Sequence, residues 1–224
     1  MKVVEIFDSI EGEGKRTGQT STFIRLAGCN IRCSYCDTLY ALFGEAEECA
    51  YTEMTVADIL QKVNPKWKRV TITGGEPLIH KDIDVLIDEL SKMGCQINIE
   101  TNGTVNTQKY NSFDNIFVTI DYKLPSSNVS DKMMFDNFTS LNNTDVIKFV
   151  IGSREDISVM KAVIRKLNSV YTKDAMPILY AGAVFGNIEP KEIVQEIVNS
   201  DELQDVIFQL QIHKFIWKPE ERGV

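Results

Sequence analysis

Along the chain, runs rich in β-branched and aromatic residues alternate with stretches of helical spacing. The runs at 21–28 (STFIRLAG), 69–73 (RVTIT), 96–101 (QINIET), 115–123 (NIFVTIDYK), 145–152 (DVIKFVIG), 176–182 (MPILYAG) and 206–212 (VIFQLQI) read as strands. In the first of these, Phe23 and Arg25 share one face, and Ile24 and Leu26 share the other. Helical spacing occupies 55–63, 81–94, 154–168 and 190–200, with Thr55 placed as an N-cap and Gly94 closing the second helix. The segment 126–143 is the least regular, and a loop with one small helix is expected there. This β-α-β rhythm predicts a mostly parallel sheet faced by helices. Several connections are short or poorly helical. The expected α/β fold is therefore an incomplete β/α barrel of the TIM type, in a single domain over residues 1–224. In such folds the active site lies at the C-terminal ends of the strands. Four polar groups fall there: Cys29 to Cys36, Thr73 to Pro77, Glu100 to Gly103, and Asp121 to Lys123.

Composition narrows the function classes. The 224 residues are 43% hydrophobic and 25% charged, an ordinary globular balance. No apolar run approaches the ~20 residues of a membrane span. The opening MKVVEIFDSIEGEG turns acidic at once and lacks the apolar core of a signal peptide, so a cytoplasmic protein without membrane contact is expected. A net charge of −8 with scattered basic residues argues against a nucleic-acid partner. Five cysteines, three of them within eight residues, point to metal ligation or redox chemistry rather than a disulfide framework.

Thiolates are soft ligands suited to zinc or to iron–sulfur clusters. Cys49, thirteen residues beyond Cys36, would make a fourth ligand for a structural zinc and a binding module. Alternatively, Cys29, Cys33 and Cys36 hold three irons of a four-iron cluster and leave the fourth open. The spacing Cys-x3-Cys-x2-Cys, with Tyr35 before the last cysteine, resembles the signature of radical S-adenosylmethionine enzymes. That resemblance implies a [4Fe-4S] cluster whose open iron binds S-adenosylmethionine and whose electron releases a 5′-deoxyadenosyl radical. It also implies a reductant such as flavodoxin or ferredoxin. No protein side chain then acts as catalyst, because the radical is generated on the cofactor. TGGEP (73–77) resembles the family's glycine-rich strand end; alone it reads as a tight turn with Pro77 opening a helix. ETNG (100–103) and DYK (121–123) likewise end strands at cofactor height, where each could instead be a turn with a solvent-facing charge. The cofactor contacts implied are Tyr35, Cys36, Asp37, Gly75, Glu76, Glu100, Asn102, Asp121, Tyr122 and Lys123.

Within that superfamily, further segments resemble the 7-carboxy-7-deazaguanine synthases of queuosine-type biosynthesis. They are the S-I-x-G-E-G opening, Arg25, Asp37-Thr38 after the triplet, DYKLPSS, VFGNIEPKEIV and QLQIHKFIW, which together span nearly the whole chain. The resemblance implies a lyase that converts 6-carboxy-5,6,7,8-tetrahydropterin to 7-carboxy-7-deazaguanine with loss of ammonia, in a homodimer. It implies substrate contacts from Ile10, Glu11, Gly12, Glu13, Arg25, Thr73 and His213, and a Mg2+ ion on Thr38. Taken alone, Glu11 to Gly14 is a solvated turn, Arg25 half of an ion pair, Thr38 a capping residue and His213 a strand-end histidine. The chain departs from many members at Glu11, where Gln is common; an ionised Glu11 accepts hydrogen bonds but donates none. Backbone contacts from Ile10 to Gly12 survive that change. Activating enzymes for glycyl-radical proteins share the triplet and an early S-x-x-G-E-G-like stretch, and are the alternative, although they leave QLQIHKFIW and DYKLPSS without a role.

Overall fold

The computed structural model describes residues 1–43, 49–218 and 221–224. Among these described residues one sheet of nine strands runs in the order β3-β1-β2-β4-β5-β6-β7-β8-β9. Its strands are β1 (Lys2–Ile10), β2 (Thr20–Leu26), β3 (Thr52–Glu53), β4 (Arg69–Gly74), β5 (Gln96–Thr101), β6 (Ile116–Tyr122), β7 (Val146–Ile151), β8 (Ile178–Ala183) and β9 (Val206–Phe208). From β2 through β4 to β9 the pairing is parallel, while β1 runs antiparallel to both β2 and β3. β3 and β9 are opposite edges that do not pair, so the sheet is an open, partial barrel.

Each parallel strand alternates sharply. Val70 and Ile72, Ile97 and Ile99, Val118 and Ile120, and Ile147, Phe149 and Ile151 are buried in the core on one face. That face packs on α2 (Ile83–Lys92) and α3 (Arg154–Val170), through Leu86, Ile87 and Leu90 and through Met160, Val163, Ile164 and Leu167. The intervening residues Thr71, Thr73, Asn98, Glu100, Thr119, Asp121 and Lys148 make the other face polar. A parallel strand covered on both sides is ordinarily apolar throughout. Alternation here marks a face reserved for a wet, charged interior.

Several expectations need correction. The N-terminal segment, assigned no element from the sequence, forms β1, whose register with β2 sets Glu5 beside Arg25. The helix expected over 55–63 stops early: α1 covers Val56–Leu60, opened by a capping box between Thr55 and Asp58. Pro65 follows and pushes Asn64 away from helical backbone. The strand expected over 206–212 ends at Phe208. Beyond it the Gln209 amide donates to Gly14 O (3.0 Å) and Thr17 Oγ1 (2.7 Å), and α5 (His213–Ile216) begins. Segment 126–143 holds no single helix but 3₁₀ turns, of which Ser130–Lys132 and Phe135–Phe138 lie wholly within it. Phe138 is fully buried against Tyr122, with ring centroids 4.9 Å apart. The helix α4 (Pro190–Val198) opens with proline at its first position, as the spacing predicts. Among the described residues no helix is long and apolar enough to cross a membrane.

Candidate active site

The cysteine triplet lies in the loop leaving β2, and that loop is clamped from two sides. From β4, Gly75 N donates to Leu26 O (3.1 Å) and Glu76 N to Gly28 O (2.8 Å). A Cβ on Gly74 would stand 2.1 Å from Leu26 O, and one on Gly75 would stand 2.2 Å from Gly28 O. The two glycines are therefore required first by the approach of the protein's own backbone. From the other side, Ser34 N donates to Ser127 O at 2.9 Å, in the 3₁₀ turn Pro125–Ser127. That turn is held by buried Asp156 at the start of α3, which accepts from Ser126 N (2.9 Å) and Gly152 N (2.6 Å).

Cys29, Cys33 and Cys36 are free, partly buried and line one cleft. Burial pushes Cys33 up to about 11 against the pull of Lys123, and it raises Cys36 as well. Thiols of this kind give up their protons when a metal takes them. Cys49 and Cys95 are buried, Cys95 within the hydrophobic core, and neither lines the cleft. Among the described residues three sulfurs face the cleft, which fits a four-iron cluster with one open corner and falls one thiolate short of a four-cysteine zinc site.

The cleft has a volume of about 650 Å³. Ile10, Glu11, Gly12, Glu13, Arg25, Tyr35, Asp37, Thr38, Thr73, Gly75, Glu100, Asn102, Asp121, Lys123 and His213 line it together with the three cysteines. Two expected contacts do not reach its wall. Glu76 is fully buried beneath it, accepting from Asn102 N (2.7 Å), Thr101 Oγ1 (2.8 Å) and Leu78 N (3.1 Å). The Tyr122 ring lies on the opposite face of β6, against Phe138 and Phe149.

Charge inside the cleft is dense and paired. Lys148 Nζ joins Glu13 Oε1 (2.9 Å) to Asp121 Oδ1 (3.2 Å), and Lys123 Nζ holds Asp121 Oδ2 at 2.7 Å. Burial would raise Asp121, but Lys123 and Lys148 outweigh it and keep the carboxylate ionised. Burial raises Glu100 to about 7; Lys148 opposes the rise, and Glu11 and Glu13 add to it. Arg25 donates through Nε to Glu5 Oε1 (2.7 Å), and Tyr40 Oη reaches the same oxygen at 2.9 Å. Asp37 is exposed at the cleft, and its carboxyl is lowered because Lys214, whose Nζ lies 3.4 Å from Oδ2, outweighs the loss of water on its inner side. Thr38 Oγ1 donates to Asp37 Oδ1 at 3.0 Å. The His213 ring packs over Gly12, where a Cβ would come within 1.9 Å of Nδ1, and burial lowers its affinity for a proton.

Glu11 is not a solvated turn. It is 1% exposed, bonded to Arg16 Nη2 at 3.0 Å and to Thr71 Oγ1, and burial raises its pKa against the pull of Arg16. Arg16 also donates to Val70 O (3.1 Å) and Gln96 O (3.0 Å), where β4 and β5 begin, and so floors the cleft. Motif reasoning passed over Arg16 and Lys148. The signal for Lys148 was present in VIKFVI, a single cation inside an apolar strand.

The sequence matches the Radical SAM superfamily over residues 23–199. A 7-carboxy-7-deazaguanine synthase from Clostridium acetobutylicum is 43% identical, over 100% of this chain and 99% of its own length. One from Methanospirillum hungatei is 37% identical over 98% of this chain and 86% of its own. Among solved structures, QueE from Escherichia coli superposes with a TM-score of 0.69 at 24% identity, covering 93% of each chain. SuiB from Streptococcus suis, bound to S-adenosylmethionine, superposes with a TM-score of 0.55 at 12% identity, covering 83% of this chain and 48% of that one. Both superpositions speak for the fold.

Proposed function

The chain belongs to the radical SAM superfamily and, within it, to the 7-carboxy-7-deazaguanine synthases, and from that premise we infer how its own residues serve the reaction. It is a lyase that converts 6-carboxy-5,6,7,8-tetrahydropterin to 7-carboxy-7-deazaguanine and ammonia, using a [4Fe-4S] cluster and S-adenosylmethionine. The glycyl-radical activase reading is not favoured, since the full-length relatives are synthases.

Cys29, Cys33 and Cys36 would hold the cluster. Bound together, cluster and S-adenosylmethionine supply one-electron cleavage of a sulfonium carbon–sulfur bond and, through it, abstraction of hydrogen from the substrate. We assign the cofactor to the wall made by Tyr35, Cys36, Asp37, Gly75, Glu100, Asn102, Asp121 and Lys123, with the Tyr122 backbone between the last two. Glu76 supports that wall from beneath rather than touching the ligand. The pterin faces Glu13, Thr73 and His213 and the backbone from Ile10 to Gly12, above the Glu11–Arg16 floor. Glu13 offers a carboxylate to the N–H edge of an amino-pyrimidinone.

Arg25 is bound to Glu5 through Nε alone among the described contacts, which leaves its terminal nitrogens for the substrate carboxylate. Thr38 lines the same cleft and is assigned a Mg2+ ion shared with that carboxylate, since Mg2+ prefers oxygen ligands and keeps much of its water. The electron is assigned to a small carrier of the flavodoxin or ferredoxin class and the working form to a homodimer, both on family resemblance.

The observation that carries this reading is a three-sulfur loop opening onto a cleft with Arg25, Glu13 and Thr73 in its wall. Anaerobic reconstitution should load about four irons. Adding dithionite, S-adenosylmethionine and the carboxypterin should then yield the deazaguanine acid by mass spectrometry. A loaded cluster that forms no such product would overturn the substrate assignment.

A further inference from the structure

We propose that Asn102 is a hydrogen-bond donor to the ligating sulfur of Cys29 and thereby raises the reduction potential of the cluster, a role separate from any contact with S-adenosylmethionine. Asn102 Nδ2 lies 3.5 Å from Cys29 Sγ and 3.0 Å from Asn30 Oδ1. Its Oδ1 accepts from Thr104 N (3.0 Å) and Thr104 Oγ1 (2.7 Å). Asn30 Nδ2 donates in turn to Thr104 Oγ1 at 2.8 Å, closing a ring of three side chains.

The ring fixes which end of the amide faces the sulfur. Turned over, Asn102 would set its NH2 against the Thr104 N–H and its oxygen against Asn30 Oδ1, losing three bonds. Nor is the residue free to withdraw. Its backbone N–H is held by Glu76 Oε2 at 2.7 Å, and the residue is only 6% exposed. Asn102 is thus positioned from below by Glu76 and from the side by Thr104, with one N–H left for Cys29.

A donor to a cluster sulfur stabilises the reduced, more electron-rich state over the oxidised one, so its loss makes the potential more negative. This inference rests on the triplet holding a three-cysteine cluster, and the test separates the two claims. The midpoint of reconstituted, S-adenosylmethionine-free enzyme is measured by dithionite titration with mediators, followed by electron paramagnetic resonance. Asn102→Leu is expected to keep its iron content and shift the midpoint to more negative potential. Thr104→Val, which keeps the donor but unpins it, should shift it less and in the same direction.

Wild-type protein that loads no four-iron cluster overturns the underlying assignment. A loaded Asn102→Leu enzyme with an unmoved or more positive midpoint overturns the inference alone. If Asn102→Leu loads no iron, Thr104→Val decides, and an unmoved midpoint there has the same force.

Discussion

A carboxyl group with little water around it and no full counter-charge keeps its proton longer, and Glu100, half-buried in the cleft wall, is one such group. Its folded value of about 7 stands above the ordinary 4.5 because burial outweighs Lys148. The protonated form is favoured on folding, so this contribution to stability is fully present below about pH 4.5 and is lost as pH rises through about 7. Thermal unfolding of cluster-free protein is expected to show Glu100→Gln gaining on the wild type between pH 5 and pH 8. The gain should be at most on the order of 2–3 kcal/mol; equal gains at the two pH values would contradict it. At the same scale, Cys33→Ala should lose cluster absorbance and activity together. Residues carrying a motif were legible this way. Arg16 was not, because its role comes from carbonyls of β4 and β5, fifty or more residues away.

Elements were readable where their pattern is local. The strands β4 to β7 and helices α2 and α3 follow from apolar spacing, and a capping box at Ser153 and Asp156 opens α3. β1 and the end of β9 were not, for related reasons. KVVEIFDSI has no clean alternation, and its pairing with β2 and β3 decides that it is a strand. QLQI has strand-like composition, but the Gln209 side chain spends its hydrogen bonds on the Gly14–Thr17 turn.

One prediction belongs to this scale. Asp156 is remote from the cleft wall, yet it carries the turn that holds Ser34. Asp156→Ala should cost about 1–3 kcal/mol by leaving backbone N–H groups unpaired. It should also lower the iron retained on gel filtration. Full iron retention at reduced stability would show that the turn does not support the loop.

Across the whole molecule, the barrel interior joins distant segments by charge rather than by apolar packing. Glu13 comes from the loop after β1, Asp121 from β6 and Lys148 from β7, and a single ammonium holds the first two. Lys148→Met takes that partner from two half-buried carboxylates, of which Asp121 keeps Lys123 and Glu13 is left without an ammonium. We expect at least a tenfold loss of carboxypterin affinity by calorimetry with iron content unchanged, and recovery in Lys148→Arg; unchanged affinity would remove Lys148 from the site. The polar face that makes this possible is written in the strands as alternation, visible once their register is known.

The partial exposure of Cys29, Cys33 and Cys36 in the cleft bears on the traffic of electrons. A cleft that leaves its sulfurs partly exposed admits electrons without asking the donor to enter. The same openness admits dioxygen. In air the bound iron should bleach at a rate set by diffusion into that cleft, while the folded chain beneath it persists.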